Sequence, residues 1–131
     1  MHLRFVTIPA IVAIVLMAIM PTQLWAHVGV ASSTPAENAV VDTQLGSFEI
    51  LFTDVVRVTS LQIVQLSDDI VEDLTFEPVR KFATDVSGPL PPHSPGQYEL
   101  RWRALSKDMH VMTGVIHFTI GMSGMQPGAK R

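Results

Sequence analysis

Apolar residues recur at every second position along three stretches of this chain. In Ser47–Phe52, Phe48, Ile50 and Phe52 share one face. In Gln97–Leu105, Tyr98, Leu100, Trp102 and Ala104 face one way, and Gln97, Glu99, Arg101 and Arg103 face the other. In Thr113–Ile120, Ile116, Phe118 and Ile120 oppose Val115, His117 and Thr119. Successive side chains of a strand point to opposite sides, so this period marks half-buried β-strands. Weaker strand signals cover Val28–Ser32, Val55–Val58, Leu61–Leu66 and Val71–Phe76. No segment after Ala26 sustains the 3.6 period of an amphipathic helix. Turn signals at Thr34-Pro35, at Ser67-Asp68-Asp69, and from Ser87-Gly88-Pro89 through Pro95-Gly96 divide the runs. Many short strands with such breaks predict a single two-sheet β-sandwich.

The first residues follow a different pattern. Arg4 precedes Phe5–Met20, 16 residues without a charge, and Pro21–Ala26 follows. A basic start, a short apolar run and a small residue at the end describe a secretory signal peptide. Residues 1–26 are therefore expected to be removed after Ala26. The competing reading, a retained membrane anchor, asks for about 20 apolar residues, and this run is shorter and holds a proline. Removal leaves 131 − 26 = 105 residues starting at His27, with no membrane insertion of the mature chain. After Ile120, residues 121–131 lose all pattern and are expected to form a flexible C-terminal tail.

Composition removes several function classes. The chain has no cysteine, which excludes disulfide scaffolds, thiol enzymes and cysteine-ligated metal clusters. Its 9 basic and 12 acidic residues give a net charge of −3, and no basic run offers a nucleic-acid surface. No phosphate-cradling glycine motif is present.

Two elements carry chemistry. Export would give His27 a free α-amine beside its imidazole. Both nitrogens of such a residue can chelate one metal, and Cu(II) prefers nitrogen and oxygen donors in a tetragonal plane. The second element is Asp108-Met109-His110, between two confident strands. In an extended segment Asp108 and His110 point to the same side and Met109 away from it. Alone, each signal is weak, since a histidine at a cleavage site arises by chance and a D-x-H loop is equally a solvated surface loop. His117 falls on the solvated face of its strand, and His93 lies in Pro91-Pro92-His93-Ser94-Pro95, read as a stiff exposed loop. The four methionines outside the leader, Met109, Met112, Met122 and Met125, offer thioethers that suit Cu(I). Gap filling and tail placement are the favoured account of them. Ser106, Asp108 and His110 contain the residue types of a hydrolytic triad, yet no GxSxG elbow or oxyanion segment accompanies them.

These residues together resemble the CopC (PcoC-like) family of periplasmic copper-binding proteins. His27-Val28-Gly29-Val30-Ala31-Ser32-Ser33-Thr34-Pro35-Ala36 is similar to that family's mature start, a histidine followed by S-x-P-A. Leu51-Phe52-Thr53-Asp54 resembles its L-x-F-[ST]-E segment. Gly96–Ser106 with Asp108-Met109-His110 resembles G-x-Y-x-V-x-W-R-x-x-S-x-D-G-H, and Thr113–Ile120 resembles the final G-x-x-x-F-x-V strand.

The resemblance implies a Greek-key, immunoglobulin-like β-sandwich over residues 27–120. It also implies one Cu(II) held by His27, Asp108 and His110, with Asp54 near the site. The implied role is copper resistance, buffering or delivery to an inner-membrane copper transporter, by a monomeric periplasmic protein that is not an enzyme. A copper-dependent oxidase or monooxygenase and a metal-free immunoglobulin-like interaction domain are the rival readings. Two departures stand out. Met109 replaces the family's glycine, and no methionine lies between Val58 and Pro95, so the mid-chain Cu(I) segment of some members is not expected here.

Overall fold

The computed structural model describes residues 28–43 and 45–121. The leader, His27 and the tail with Met122 and Met125 lie outside the described residues. Seven strands follow one another: β1 Val30–Thr34, β2 Ala39–Asp42, β3 Ser47–Gln65, β4 Ile70–Asp73, β5 Ala83–Pro89, β6 Gly96–Ser106 and β7 Val111–Gly121. There is no helix among the described residues.

The 19-residue β3 organises the molecule. Its first part, around Glu49–Leu51, pairs with β1 on one side and β5 on the other. Its second part, Val56–Gln65, pairs with β6, which continues through β7 to β2, and its end also pairs with β4. One strand thus belongs to both layers of the sandwich, and the ladder is continuous in the order β1-β3-β6-β7-β2. The sequence pattern divides this stretch into three separate strands. The reason is a change of parity inside it. Phe48, Ile50, Phe52, Val56 and Val58 are buried at even positions, and Leu61 and Ile63 at odd ones. The register against β6 slips by one between Val58 and Ser60, so Thr59 is an extra residue that turns the following side chains over. Its hydroxyl donates to Arg103 O at 3.2 Å.

The inner faces meet in one core. Phe48, Ile50, Val86 and Leu90 from one layer close on Tyr98, Leu100, Ile116, Phe118 and Ile120 from the other. Phe52 meets Trp102 edge to face at 5.1 Å, and Tyr98 stacks on Phe118 at 5.8 Å. No polar or charged residue is buried among those described. The core therefore follows the alternation read from the sequence, and it leaves the described acidic, basic and histidine side chains outside it.

Three local readings are corrected, and one strand is added. Ser87-Gly88-Pro89 is not a turn but the end of β5. A Cβ on Gly88 would stand 2.2 Å from Thr75 O and 3.0 Å from the Phe48 ring, so glycine serves close packing there. Pro89 is tolerated at the last position of an edge strand. The strand expected at Val71–Phe76 is shorter and earlier, Ile70–Asp73. Strand β2, four residues paired parallel to β7, has no visible period of its own. His93 is only 14% exposed although its neighbours are open. Its ring packs edge-on against Tyr98 and its Nε2 lies 3.1 Å from Glu72 Oε2.

Candidate metal centre

β6 and β7 form a hairpin, because the chain must reverse between two alternating apolar runs. Their register is uninterrupted from Gly96–Ile120 to Leu105–Val111. Ser106 N–H donates to His110 O at 3.0 Å, and Met109 N–H donates to Ser106 O at 3.0 Å. Met109 has φ 67°. A four-residue turn followed by one left-handed residue is a common three-residue hairpin connection, with glycine favoured at the left-handed position. Met109 occupies that position. The D-G-H pattern of the resembling family thus has a backbone reason, and Met109 carries a conformational cost that glycine would not.

The turn gathers three polar side chains. The Ser106 hydroxyl donates a short hydrogen bond to Asp108 Oδ1. Asp108 Oδ2 lies 2.6 Å from His110 Nδ1. His110 N–H points back to Ser106 Oγ at 3.2 Å. The Ser106 hydroxyl, and then the His110 ring, hold the Asp108 carboxyl well below the usual carboxylate range, at about 2. Asp108 and His110 are both 65% exposed. An ionised oxygen and an imidazole nitrogen therefore stand side by side, open to solvent.

This spacing suits a metal. Two neighbouring donors about 2.0 Å from one ion in a square plane stand about 2.8 Å apart. The observed 2.6 Å is within a few tenths of that, so an ion can take the place of the shared proton. The arrangement does not suit hydrolysis. The Ser106 hydroxyl donates its hydrogen bond to Asp108 rather than to the His110 ring, so no serine–histidine nucleophile–base pair forms.

Two donors do not complete a tight site, and no group of three metal-ligating side chains occurs among the described residues. The sequence-predicted ligands Asp108 and His110 are together; His27 lies outside the described residues. Its chain neighbours Val28 and Gly29 are described. Gly29 N–H donates to Thr53 Oγ1 and Gly29 O accepts from Thr53 N–H, both at 2.9 Å. Three residues further along β3, Val56 pairs with Ser106 at the mouth of the turn. Asp54, between these contacts, is exposed and its Oδ1 accepts the Val55 N–H at 2.7 Å. It is not grouped with Asp108 and His110.

The other histidines stand apart. His117 is on the outer face, as the alternation predicts, and is not merely solvated. Its Nδ1 lies 2.9 Å from Glu37 Oε1 and its Nε2 3.4 Å from Glu99 Oε1. The two carboxylates flank opposite ring nitrogens, so they do not converge on one ion. Ser106 is the functional residue whose role the sequence reading did not assign. The S-x-D spacing at the end of a strand was the available signal.

Residues 30–121 match the CopC domain family. The fold is similar to that of the CopC crystal structure from Methylosinus trichosporium OB3b, at 18% identity and TM-score 0.62, covering 76% of this chain and 99% of that one. It is also similar to PcoC, a methionine-rich copper resistance protein from Escherichia coli, at 23% identity and TM-score 0.53, covering 73% of this chain and 100% of that one. No curated protein sequence matches the chain. A family match over residues 30–121, joined to the sandwich and to the exposed Asp108–His110 pair, places the chain in the CopC family of copper-binding, copper-resistance proteins.

Proposed function

We propose that the chain is exported to the periplasm, loses residues 1–26, and there holds one Cu(II) through the His27 amine and imidazole, Asp108 and His110. The observation that carries the reading is the ionised Asp108 carboxylate 2.6 Å from the His110 ring. Ser106 keeps that carboxylate free of protons and oriented. The course of β1 supports a contribution from the N-terminus, because Gly29 lies beside Thr53, close along β3 to the partner of Ser106. Amine, imidazoles and a carboxylate make a hard-to-borderline donor set that favours Cu(II) over Cu(I). Of the methionines, Met109 is 59% exposed and Met112 packs against the core; a methionine-based Cu(I) site is not part of this reading.

On this reading the protein is not an enzyme. It buffers copper and passes it to an inner-membrane copper transporter. An exposed site suits transfer, since an incoming ligand can approach without unfolding anything. The test is Cu(II) titration with spin-resonance spectroscopy on the exported protein and on a form with one extra residue before His27. The exported form is expected to bind one Cu(II) with nitrogen-rich coordination, and the extended form far more weakly. Equal affinity and equal spectra in the two forms would remove the amine from the site.

A further inference from the structure

The free edge of β7 offers a second interaction. β7 pairs with β6 along its whole length, but with β2 only over Phe118–Gly121. His117 is the last residue capped on that side: Asn38 N–H donates to His117 O at 2.7 Å, and His117 N–H donates to Glu37 Oε2 at 2.9 Å. His110 O, in contrast, accepts from Ser106 on the β6 side. Backbone groups alternate sides along a strand. The N–H and C=O of Val111, Thr113 and Val115 therefore point away from β6, and no described strand pairs with them.

Over Val111–Ile116 this edge, which faces β1 and Glu37 across an open groove, has none of the charge, proline or bulge of the β1, β4 and β5 edges. An unpaired edge is a template for another strand unless charge, proline or a bulge blunts it. β4 carries Glu72 and Asp73, β5 carries Asp85 and ends in Pro89, and β1 is bulged between Val30 and Ser32. Val111-Met112-Thr113-Gly114-Val115-Ile116 has no charge and no proline. Val111 is 52% and Val115 43% exposed.

We propose that this edge pairs with the same edge of a second copy of the chain, antiparallel, about a two-fold axis through Thr113. The segment is self-complementary in that register. Thr113 faces Thr113, and Val111 of one copy meets Val115 of the other, which are favourable cross-strand pairs with no like charges opposed. The three outward-pointing residues fall opposite one another as hydrogen-bonded pairs, the geometry an antiparallel ladder requires. Arg103, the β6 neighbour of Thr113, would lie three strand spacings from its counterpart, about 14 Å. That exceeds the screening length of about 8 Å at physiological salt, so repulsion does not forbid the pair. This departs from the monomer expected on sequence. Five paired residues make a small interface, so the association is weak. It does not depend on bound copper.

The test uses the full exported chain with copper removed by a chelator, from about 10 µM to about 1 mM. Sedimentation is expected to show one copy at the low end and a rising mass toward two copies at the high end. Amide exchange of Thr113 and Val115 should slow with concentration, and that of Ile116, bonded toward β6, should not change. Thr113→Pro removes an N–H that points away from β6 and pairs with no described strand, and Val115→Lys adds a charge at the contact; each should hold the mass at one copy. Val71→Lys on the β4 edge should leave association intact. A single-copy mass at about 1 mM, association undiminished in Val115→Lys, or an equal loss in Val71→Lys would overturn the proposal.

Discussion

Gly114→Ala tests the packing next to the Ser106–His110 turn. Gly114 faces Trp102 across the β6–β7 ladder. An added Cβ would stand 2.4 Å from Trp102 Cε2 and Cζ2 and 2.6 Å from Nε1. Ordinary carbon contacts are about 3.5–4.0 Å, so something must move by at least ~1 Å. The indole has little room, being 6% exposed and held edge-on against Phe52 at 5.1 Å. Overpacking of this kind costs about 1–3 kcal/mol. Alanine recovers about 0.5–1 kcal/mol through a less free unfolded chain. The difference is a loss of up to about 2.5 kcal/mol, with the middle of both ranges at ~1.2 kcal/mol, or roughly 5–10 °C in Tm for a domain of this size. Urea unfolding, followed by near-ultraviolet circular dichroism, reads it. The cause is then isolated with Trp102→Leu, which costs stability alone but removes the clash. In the double variant Gly114→Ala should be close to neutral, giving a coupling of about 1 kcal/mol or more. Additive losses in the double variant would refute the steric argument.

Other expectations concern the loop and the surface. His110→Ala and Asp108→Asn should each weaken Cu(II) binding by more than the roughly 10–100-fold of an outer-shell change, while His93→Ala and His117→Ala leave it within experimental error; isothermal titration decides. Met109→Gly should stabilise the protein by about 0.5–1 kcal/mol, since it relieves a left-handed methionine and costs only backbone freedom; a lower Tm would contradict the turn geometry. Copper affinity should fall on acidification between pH 8 and 5 because the nitrogens regain protons, whereas Asp108, held at about 2, stays ionised throughout; a further drop centred near pH 4 would show that Ser106 does not hold it. Glu37 is depressed below 4.5 by the backbone N–H and ring of His117. Its contribution is therefore present above about pH 4.5 and lost as pH falls through the lower folded value. Glu37→Gln should flatten that acid limb in urea melts from pH 6 to 3.

The legible parts of the fold were those where one residue sits inward and the next outward. β6 and β7 obey this as far as Ile120, and their buried residues up to there are those the alternation assigns; Gly121, expected in the tail, ends β7 and is buried. β3 was legible only in pieces, because the extra residue at Thr59 reverses the parity and exposed Thr53 and Asp54 break the run. β2 and β5 were hidden for another reason. β2 is held by neighbours rather than by its own pattern, and β5 carries a glycine and a proline that read as a turn until Thr75 and Phe48 are placed beside Gly88. At the site, the D-x-H spacing found the Asp108–His110 pair. It missed the Ser106 hydroxyl as the group that keeps the carboxylate ionised, because a serine at a strand end has many ordinary uses. The environment of His93 rests on Tyr98 and Glu72, both distant in sequence.

The continuous course of β3 has a further consequence: it works as a ruler. Gly29 is measured off against Thr53, and Ser106 against Val56, on one unbroken stretch of backbone. The approach of Gly29 and the turn after β6 are therefore indexed to the same scale, three residues apart. Two segments read from a single scale keep their spacing while the layers flex, whereas segments on separate strands would accumulate error across each gap. A single residue inserted between Thr53 and Val56 would leave the β1–β3 and β3–β6 pairings able to form, yet it would displace one mark against the other by about 3.3 Å. That is more than the distance between the oxygen of Asp108 and the nitrogen of His110.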